Sequence, residues 1–230
     1  MRYWEIDFLR GIGIILMLIS NFVTDLQIFL NYPYNPFWYF FAIFTASIFV
    51  FTSGATFYVN YTIKRNFKRI LRRFLKLMTL GFSITLITYF LFKQGTIYFG
   101  ILHFLALAWI LAIPFYYIKI TIPLSFIFIT LYFYISTVHA QTYFLLPIGI
   151  TPQNFYTFDY FPIFPWFGVF LLGFEFGKFV MKRKRERRSK MICWLGRNSL
   201  KIYLIHQPII VSILLILFGD KSGIFVVKLK

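Results

Sequence analysis

Long apolar runs broken by short polar stretches organise the whole chain. With about 20 residues needed to cross a bilayer as a helix, the runs predict helices over 8–30, 37–60, 74–93, 99–118, 120–138, 163–181 and 198–218. They are continuous, whereas a barrel strand alternates in and out over about ten residues, so helices are expected and strands are not. Prolines and glycines mark the breaks, as in Tyr32-Pro-Tyr-Asn-Pro36, Lys93-Gln-Gly95, and Pro147, Gly149 and Pro152 of the longest loop. Pro123 and Pro162 stand near helix starts, where a missing N–H costs little, and Pro208 is expected to kink the last helix. No internal repeat is visible. The expected architecture is therefore one all-α polytopic integral membrane bundle of about seven transmembrane helices, a single domain over 1–230.

Composition agrees with this pattern and removes the main alternatives. Apolar residues make up 60% of the chain and charged ones only 13%, against about 25% charged in soluble domains. The net charge of +17 would suit nucleic acid, but the cations fall in short segments between apolar runs that have no soluble resting place, so no nucleic-acid partner is expected. Lys64, Arg65, Lys68, Arg69, Arg72, Arg73 and Lys76 lie between the second and third runs, Lys119 between the fourth and fifth, and Lys182 through Lys190 between the sixth and seventh. The opposite loops, 31–36 and 139–161, contain no Lys or Arg. The positive-inside rule then places the N-terminus in the cytoplasm and the C-terminus outside the cell membrane. The first run is too long for the core of a cleavable signal peptide, so it is expected to remain as an anchor. The single cysteine, Cys193, allows no internal disulfide or thiolate cluster, and no metal site is expected.

Chemistry is sought where polar side chains fall inside the apolar runs, because an ionisable group at bilayer depth costs at least ~2.5–3.5 kcal/mol. On a helical wheel Asp7, Arg10, Asn21 and Asp25 fall within roughly 60°, and the stripe climbs about 27 Å. It is either a functional face or a set of interfacial residues near the two headgroup layers. His103 lies about 24 Å along a helix from Lys119, and His206 about 14 Å from Arg197, so both share the depth of Asn21 and Asp25. Imidazole suits proton transfer near neutral pH, and a neighbouring carboxylate could fix its tautomer. His139 falls in a loop, and Glu175, one turn from Lys178, reads as structural. The cations of 64–76 interleave with Phe67, Ile70, Leu71 and Phe74 as a basic amphipathic helix. That helix is either a contact for anionic membrane lipids or a dock for a phosphorylated donor, and Arg183, Arg185, Arg187 and Arg188 admit the same two readings. The aromatic outer segment 141–167, with Asp159, Tyr160 and Trp166, is an interfacial belt or a cover over a polar acceptor.

Several stretches together carry a resemblance. They are Arg2-Tyr-Trp-Glu-Ile-Asp-Phe-Leu-Arg-Gly11, Asn21-Phe-Val-Thr-Asp25, Gly100-Ile-Leu-His103, Asp159-Tyr-Phe-Pro162, Pro165-Trp-Phe-Gly-Val-Phe-Leu-Leu-Gly173 and Leu195-Gly-Arg-Asn-Ser-Leu-Lys-Ile-Tyr-Leu-Ile-His-Gln-Pro208. In this order and spacing the chain resembles the heparan-alpha-glucosaminide N-acetyltransferase catalytic domain family. The resemblance implies a polytopic enzyme that takes an acetyl group from cytoplasmic acetyl-CoA, its co-substrate, and delivers it to an amine or hydroxyl of a saccharide or lipid-linked glycan on the far side. It implies His103 as general base or transient acyl carrier, Asn21 as the group that polarises the carbonyl or orients the acceptor, and Asp25 as support for the imidazole. Arg10, Arg69, Arg72 and Arg73 would hold the CoA phosphates, and Asn198, Lys201, His206 and Gln207 would make supporting or donor-site contacts. The pattern departs at one place: the lysosomal member of the family carries a functional histidine soon after the first helix and many bacterial relatives have His at the position of Asn21, whereas no histidine occurs here between Asn21 and Phe99. Either His103 has taken the proton-handling role or the chemistry differs. The rival expectations are a transporter or flippase for a polar lipid, using the polar stripe as a passage, and a non-catalytic membrane subunit.

Overall fold

The computed structural model describes residues 3–92, 95–182 and 190–219. Eight helices occur among them: α1 Trp4–Phe29, α2 Pro36–Ile63, α3 Phe67–Leu91, α4 Ile101–Phe115, α5 Thr121–Ile135, α6 Ile163–Met181, α7 Lys190–Arg197 and α8 Ser199–Phe218. No strand longer than an isolated bridge is present among the described residues. Five helices, α1, α2, α3, α6 and α8, are long and apolar enough to cross a membrane. Their outward surfaces are apolar too, with Phe40, Phe90, Phe133 on α5 and Ile216 each at least 66% exposed, a surface that water penalises and lipid accepts. The described residues are all-α, and their five long apolar helices are compatible with a membrane bundle.

The helices differ from the sequence expectation in three places, each with a local cause. Helix α3 begins at Phe67, not near 74, because the Asn66 side chain accepts the Arg69 N–H at 3.2 Å and starts the helix one residue later. The cations Lys68, Arg69, Arg72, Arg73 and Lys76 thereby become its first turns. Helices α4 and α5, expected over 99–118 and 120–138, have 15 residues each, or about 22 Å of rise. Before α4 the chain returns along α3 without helical structure: the Thr85 hydroxyl donates to the Ile97 carbonyl at 2.5 Å, and the Ile97 N–H donates to the Thr88 hydroxyl at 3.1 Å. These side chains satisfy backbone groups that have no helical partner. The third difference is α7, which the apolar pattern did not mark. It ends where the Asn198 N–H and side-chain amide both donate to the Trp194 carbonyl, at 3.1 and 3.0 Å, and α8 starts at the next residue. The cations Arg183, Arg185, Arg187 and Arg188 lie outside the described residues.

Contacts gather the chain into two compact units, with the division inside α2 after Thr52. The first contains α1, the first part of α2, α7 and α8. Small residues let its backbones approach: a Cβ on Gly11 would stand 2.0 Å from the Ile192 carbonyl oxygen, and one on Gly196 would stand 1.8 Å from that of Asp7. Close approach through glycine is how helices associate where no hydrophobic force separates protein from lipid. At the other end of α1, Phe29 packs with Ile210 and Leu214 of α8.

The second unit holds the rest of α2 and α3 through α6. Its centre is aromatic: Phe57, Phe104, Phe167, Phe170 and Phe174 are fully buried, and Trp109 donates its indole N–H to Ser53 Oγ at 3.0 Å. Glu175 is structural, as expected, accepting from Lys178 at 2.5 Å and from the Thr121 hydroxyl. The loop 136–162 closes over one end by pairing with the return segment, where the Phe158 N–H donates to Gly95 and the Phe161 N–H to Phe99, at 3.1 and 3.0 Å.

Candidate functional site

Two groups of polar side chains set within apolar helices result, one in each unit. In the first, Asn21 and Asp25 stand one turn apart on α1 and meet His206 and Gln207 of α8. The Asn21 amide lies 2.9 Å from His206 Nε2, and His206 Nδ1 lies 2.5 Å from the Tyr203 carbonyl oxygen. A carbonyl only accepts, so Nδ1 carries the proton, Nε2 is the acceptor, and Asn21 is the donor. The imidazole is neutral with its tautomer fixed. One step further along, the Gln207 amide donates to both Asp25 oxygens at 2.9 Å. Asp25 and His206 are both buried. Four of the residues singled out in the sequence thus form one two-rung ladder between α1 and α8.

The second group surrounds His103, one turn into α4. The ring rests on Gly81 of α3, where a Cβ would lie 2.9 Å from both Cε1 and Nε2. Phe82 meets it edge-on at 5.2 Å and Phe99 stacks at 5.9 Å. The residue is 3% exposed, and neither Nδ1 nor Nε2 has a hydrogen-bond partner among the described residues. Buried polar atoms of native proteins are paired in the large majority of cases, so an imidazole with two orphaned nitrogens calls for a ligand-side explanation.

The start of α4 is held from outside the helix. Asp159 Oδ2 accepts the Ile101 N–H at 3.0 Å, supplying the cap that Gly100 lacks. Only glycine allows this approach, since a Cβ on Gly100 would come 2.4 Å from that oxygen. Burial pushes the Asp159 carboxyl up to about 6, against the opposite pull of the Ile101 N–H.

The arginines expected to hold phosphate divide by environment. Arg69 and Arg72 are exposed on the first turns of α3, whereas Arg73 turns inward with its guanidinium 3.8 Å from the Trp109 ring centroid. Arg10 donates from Nη2 to the Thr52 carbonyl at 3.2 Å. Between Lys64 and Lys76 there are seven cations and no carboxylate. A surface of this kind fits the phosphates of a nucleotide donor such as CoA, which forked guanidinium and point-charge ammonium groups both bind. Among the described residues no three His, Cys, Asp or Glu side chains gather into a metal-binding group.

Sequence reasoning did not find the Tyr203 carbonyl, the Asp159 cap or the glycine seat beneath His103. The Tyr203 carbonyl lies one turn before His206 on the same helix, where the choice of rotamer decides the contact; the Asp159 cap joins segments 58 positions apart whose pairing has no local signature; and Gly81 gave no signal beyond being a glycine in a helix.

The family model described as heparan-alpha-glucosaminide N-acetyltransferase, catalytic, matches residues 2–208. No curated protein and no solved structure matches the chain.

Proposed function

We propose, because the chain belongs to the heparan-alpha-glucosaminide N-acetyltransferase catalytic family, that it is a multi-pass acetyltransferase of the cell membrane. It moves an acetyl group from cytoplasmic acetyl-CoA to an amine or hydroxyl of a saccharide or lipid-linked glycan on the far side. The cation distribution supports a cytoplasmic N-terminus and an extracytoplasmic C-terminus.

The observation that carries this reading is the state of the two intramembrane histidines. His206 has committed both nitrogens, one to the Tyr203 carbonyl and one to Asn21. His103 has committed neither. Both roles that acyl transfer offers a histidine need a ring nitrogen with an available lone pair. As a base, the nitrogen takes the proton of the acceptor while the acceptor atom attacks the thioester carbonyl carbon, the C–S bond breaks, and the thiol leaves with a proton. As an acyl carrier, the nitrogen itself makes the first attack. His103 is the residue placed for either.

Asn21 and Asp25 then support the acceptor side by shaping α1 against α8, with His206 and Gln207 as their partners. Arg69 and Arg72 are the proposed phosphate contacts of the second unit, and Arg10 is the candidate in the first. Measured with α3 as a ruler, Gly81 beneath His103 is about 18 Å from Arg69, so phosphate contact and acyl chemistry occupy different levels of one helix.

The test is acetyl transfer by wild type and His103→Ala in nanodiscs, beside calorimetric titration of acetyl-CoA into each. The expected result is a fall in rate of about 10²–10⁴ with donor affinity unchanged. A fully active His103→Ala protein would sink the assignment.

A further inference from the structure

The exposed end of α4 carries an arrangement that the phosphate-binding reading does not use. Four tyrosines gather there. Tyr58 and Tyr116 stack at 5.5 Å, Tyr61 meets Tyr116 edge-on at 4.8 Å, and Tyr116 meets Tyr117 edge-on at 5.4 Å. The Tyr61 and Tyr117 hydroxyls are 3.3 Å apart, and Phe57 stacks on Tyr61 at 5.5 Å. Three rings are held inside this interlocked set, whereas Tyr117 stands at its edge with 63% of its surface exposed. The Arg65 guanidinium lies 5.4 Å from the Tyr116 ring centroid. Lys64, Arg65 and Lys119 are exposed around the set, and no carboxylate occurs between Tyr61 and Lys76 or between Tyr116 and Ile120.

Tyrosine at a membrane surface is common as an interfacial belt, but a belt spreads its rings along the headgroup plane. Here the rings of α2 and of the turn after α4 are locked together, Tyr117 is the exposed member of the set, Arg65 lies over the adjoining Tyr116 ring, and Lys64 and Lys119 are exposed within three residues of Tyr61 and Tyr117 in the chain. A rigid aromatic face beside guanidinium and ammonium groups is the combination that binds a nucleobase and its phosphates. The platform is also at a useful distance. Tyr117 lies two residues beyond the end of α4, and the 12 helical positions from His103 to Phe115 rise about 18 Å, a gap that an extended phosphopantetheine arm covers.

We infer that Tyr117, braced by Tyr61 and Tyr116, is the stacking platform for the adenine of the acetyl-CoA donor, with Lys64, Arg65 and Lys119 joining Arg69 and Arg72 at the phosphates of its adenosine end. This rests on the donor reading given above and names the part of the donor that this end of the protein recognises.

The experiment is calorimetric titration of three probes, acetyl-CoA, acetyl-phosphopantetheine and adenosine 3′,5′-bisphosphate, into the full chain in nanodiscs. The proteins are wild type, Tyr117→Leu and Tyr117→Phe. Tyr117 is exposed, so the substitutions leave the packed rings in place. Tyr117→Leu is expected to weaken acetyl-CoA and the bisphosphate by roughly 5- to 100-fold, to leave acetyl-phosphopantetheine unchanged, and to be rescued by Tyr117→Phe. Equal affinity of wild type and Tyr117→Leu for acetyl-CoA overturns the platform and returns Tyr117 to the belt. An equal loss for acetyl-CoA and acetyl-phosphopantetheine overturns it as well, since the effect then has nothing to do with adenine. Wild type that binds none of the three probes fails at the donor reading itself, a result distinct from either of those.

Discussion

The Asn21 amide donates to His206 Nε2 across 2.9 Å, between residues 185 positions apart in the chain. The contact fixes the register of α1 against α8. Removing the donor in Asn21→Ala leaves a buried lone pair without a partner, which costs about 1–3 kcal/mol. A double-mutant cycle with His206→Leu should return a coupling near the ~0.6 kcal/mol average of intramembrane hydrogen bonds, and below about 1.7. Unfolding in mixed micelles, followed by near-UV circular dichroism, gives the four free energies. Additive losses would show that the two side chains do not stabilise each other.

Gly81 is the floor of the His103 site, and its missing side chain is what lets the imidazole sit there. In Gly81→Ala the new Cβ would meet Cε1 and Nε2 at 2.9 Å, so the ring must turn or withdraw. A displacement of about 1 Å in a catalytic group slows a reaction by up to about 10²-fold. Turnover of Gly81→Ala is therefore expected to be slower by roughly one to two orders of magnitude, with KM for the donor unchanged. Steady-state acetyl transfer in nanodiscs measures both. Turnover at the wild-type rate would mean that the position of the imidazole on α3 is immaterial to the reaction.

Asp159 gives a pH signature. Its folded-state value of about 6 lies above the ordinary 3.8, so the folded protein holds this proton more tightly than the unfolded chain. The stabilisation linked to it is complete below about 4 and is lost as pH rises through about 6. Asp159→Asn keeps an oxygen for the Ile101 N–H and cannot ionise. The difference in melting temperature between the variant and wild type should therefore grow in the variant's favour from pH 4 to pH 7 and then level. Asp159→Ala loses the cap at every pH. A wild-type-minus-Asn difference that is flat across this range would show that the carboxyl titrates normally.

The seam between α1 and α7 has no room for a methyl group. Gly11→Ala and Gly196→Ala place a Cβ about 2 Å from a backbone oxygen of the facing helix, and overpacking of this kind costs about 1–3 kcal/mol. Both variants should melt lower than wild type. Gly219→Ala, with nothing within 4 Å of the added carbon, removes no packing, and its melt reports only the cost of its positive φ. Equal melting of Gly196→Ala and wild type would sink the close approach.

Which parts of this were legible in the sequence follows from the range of the forces involved. The apolar runs placed the long helices within a few residues because burial in lipid is a property of the segment itself. The i,i+4 spacing of Asn21 and Asp25 placed them on one face. Their partners depended on which helix packs against α1, and nothing local distinguishes His206 from His103 in that respect. Helix ends were displaced where a distant atom intervened: Asp159 and the Thr85 and Thr88 hydroxyls set the start of α4, and the Asn66 side chain moved that of α3. Helix α7 was missed because residues 190–197 are too few and too polar to stand out as an apolar run, and the expected last helix began only at 198.

The shortness of α4 and α5 has a consequence for the lipid around them. Helices of about 22 Å stand beside a hydrocarbon layer of about 30 Å, and a short hydrophobic span is accommodated by thinning of the bilayer, at a fraction of a kcal/mol per Å. On the acetyltransferase reading proposed above, a local dimple beside α4 would bring His103 closer to water and shorten the insulating layer between donor and acceptor. Reconstitution in lipids of increasing acyl length then becomes a rheostat: transfer should slow as the layer thickens, while the affinity for acetyl-CoA stays constant.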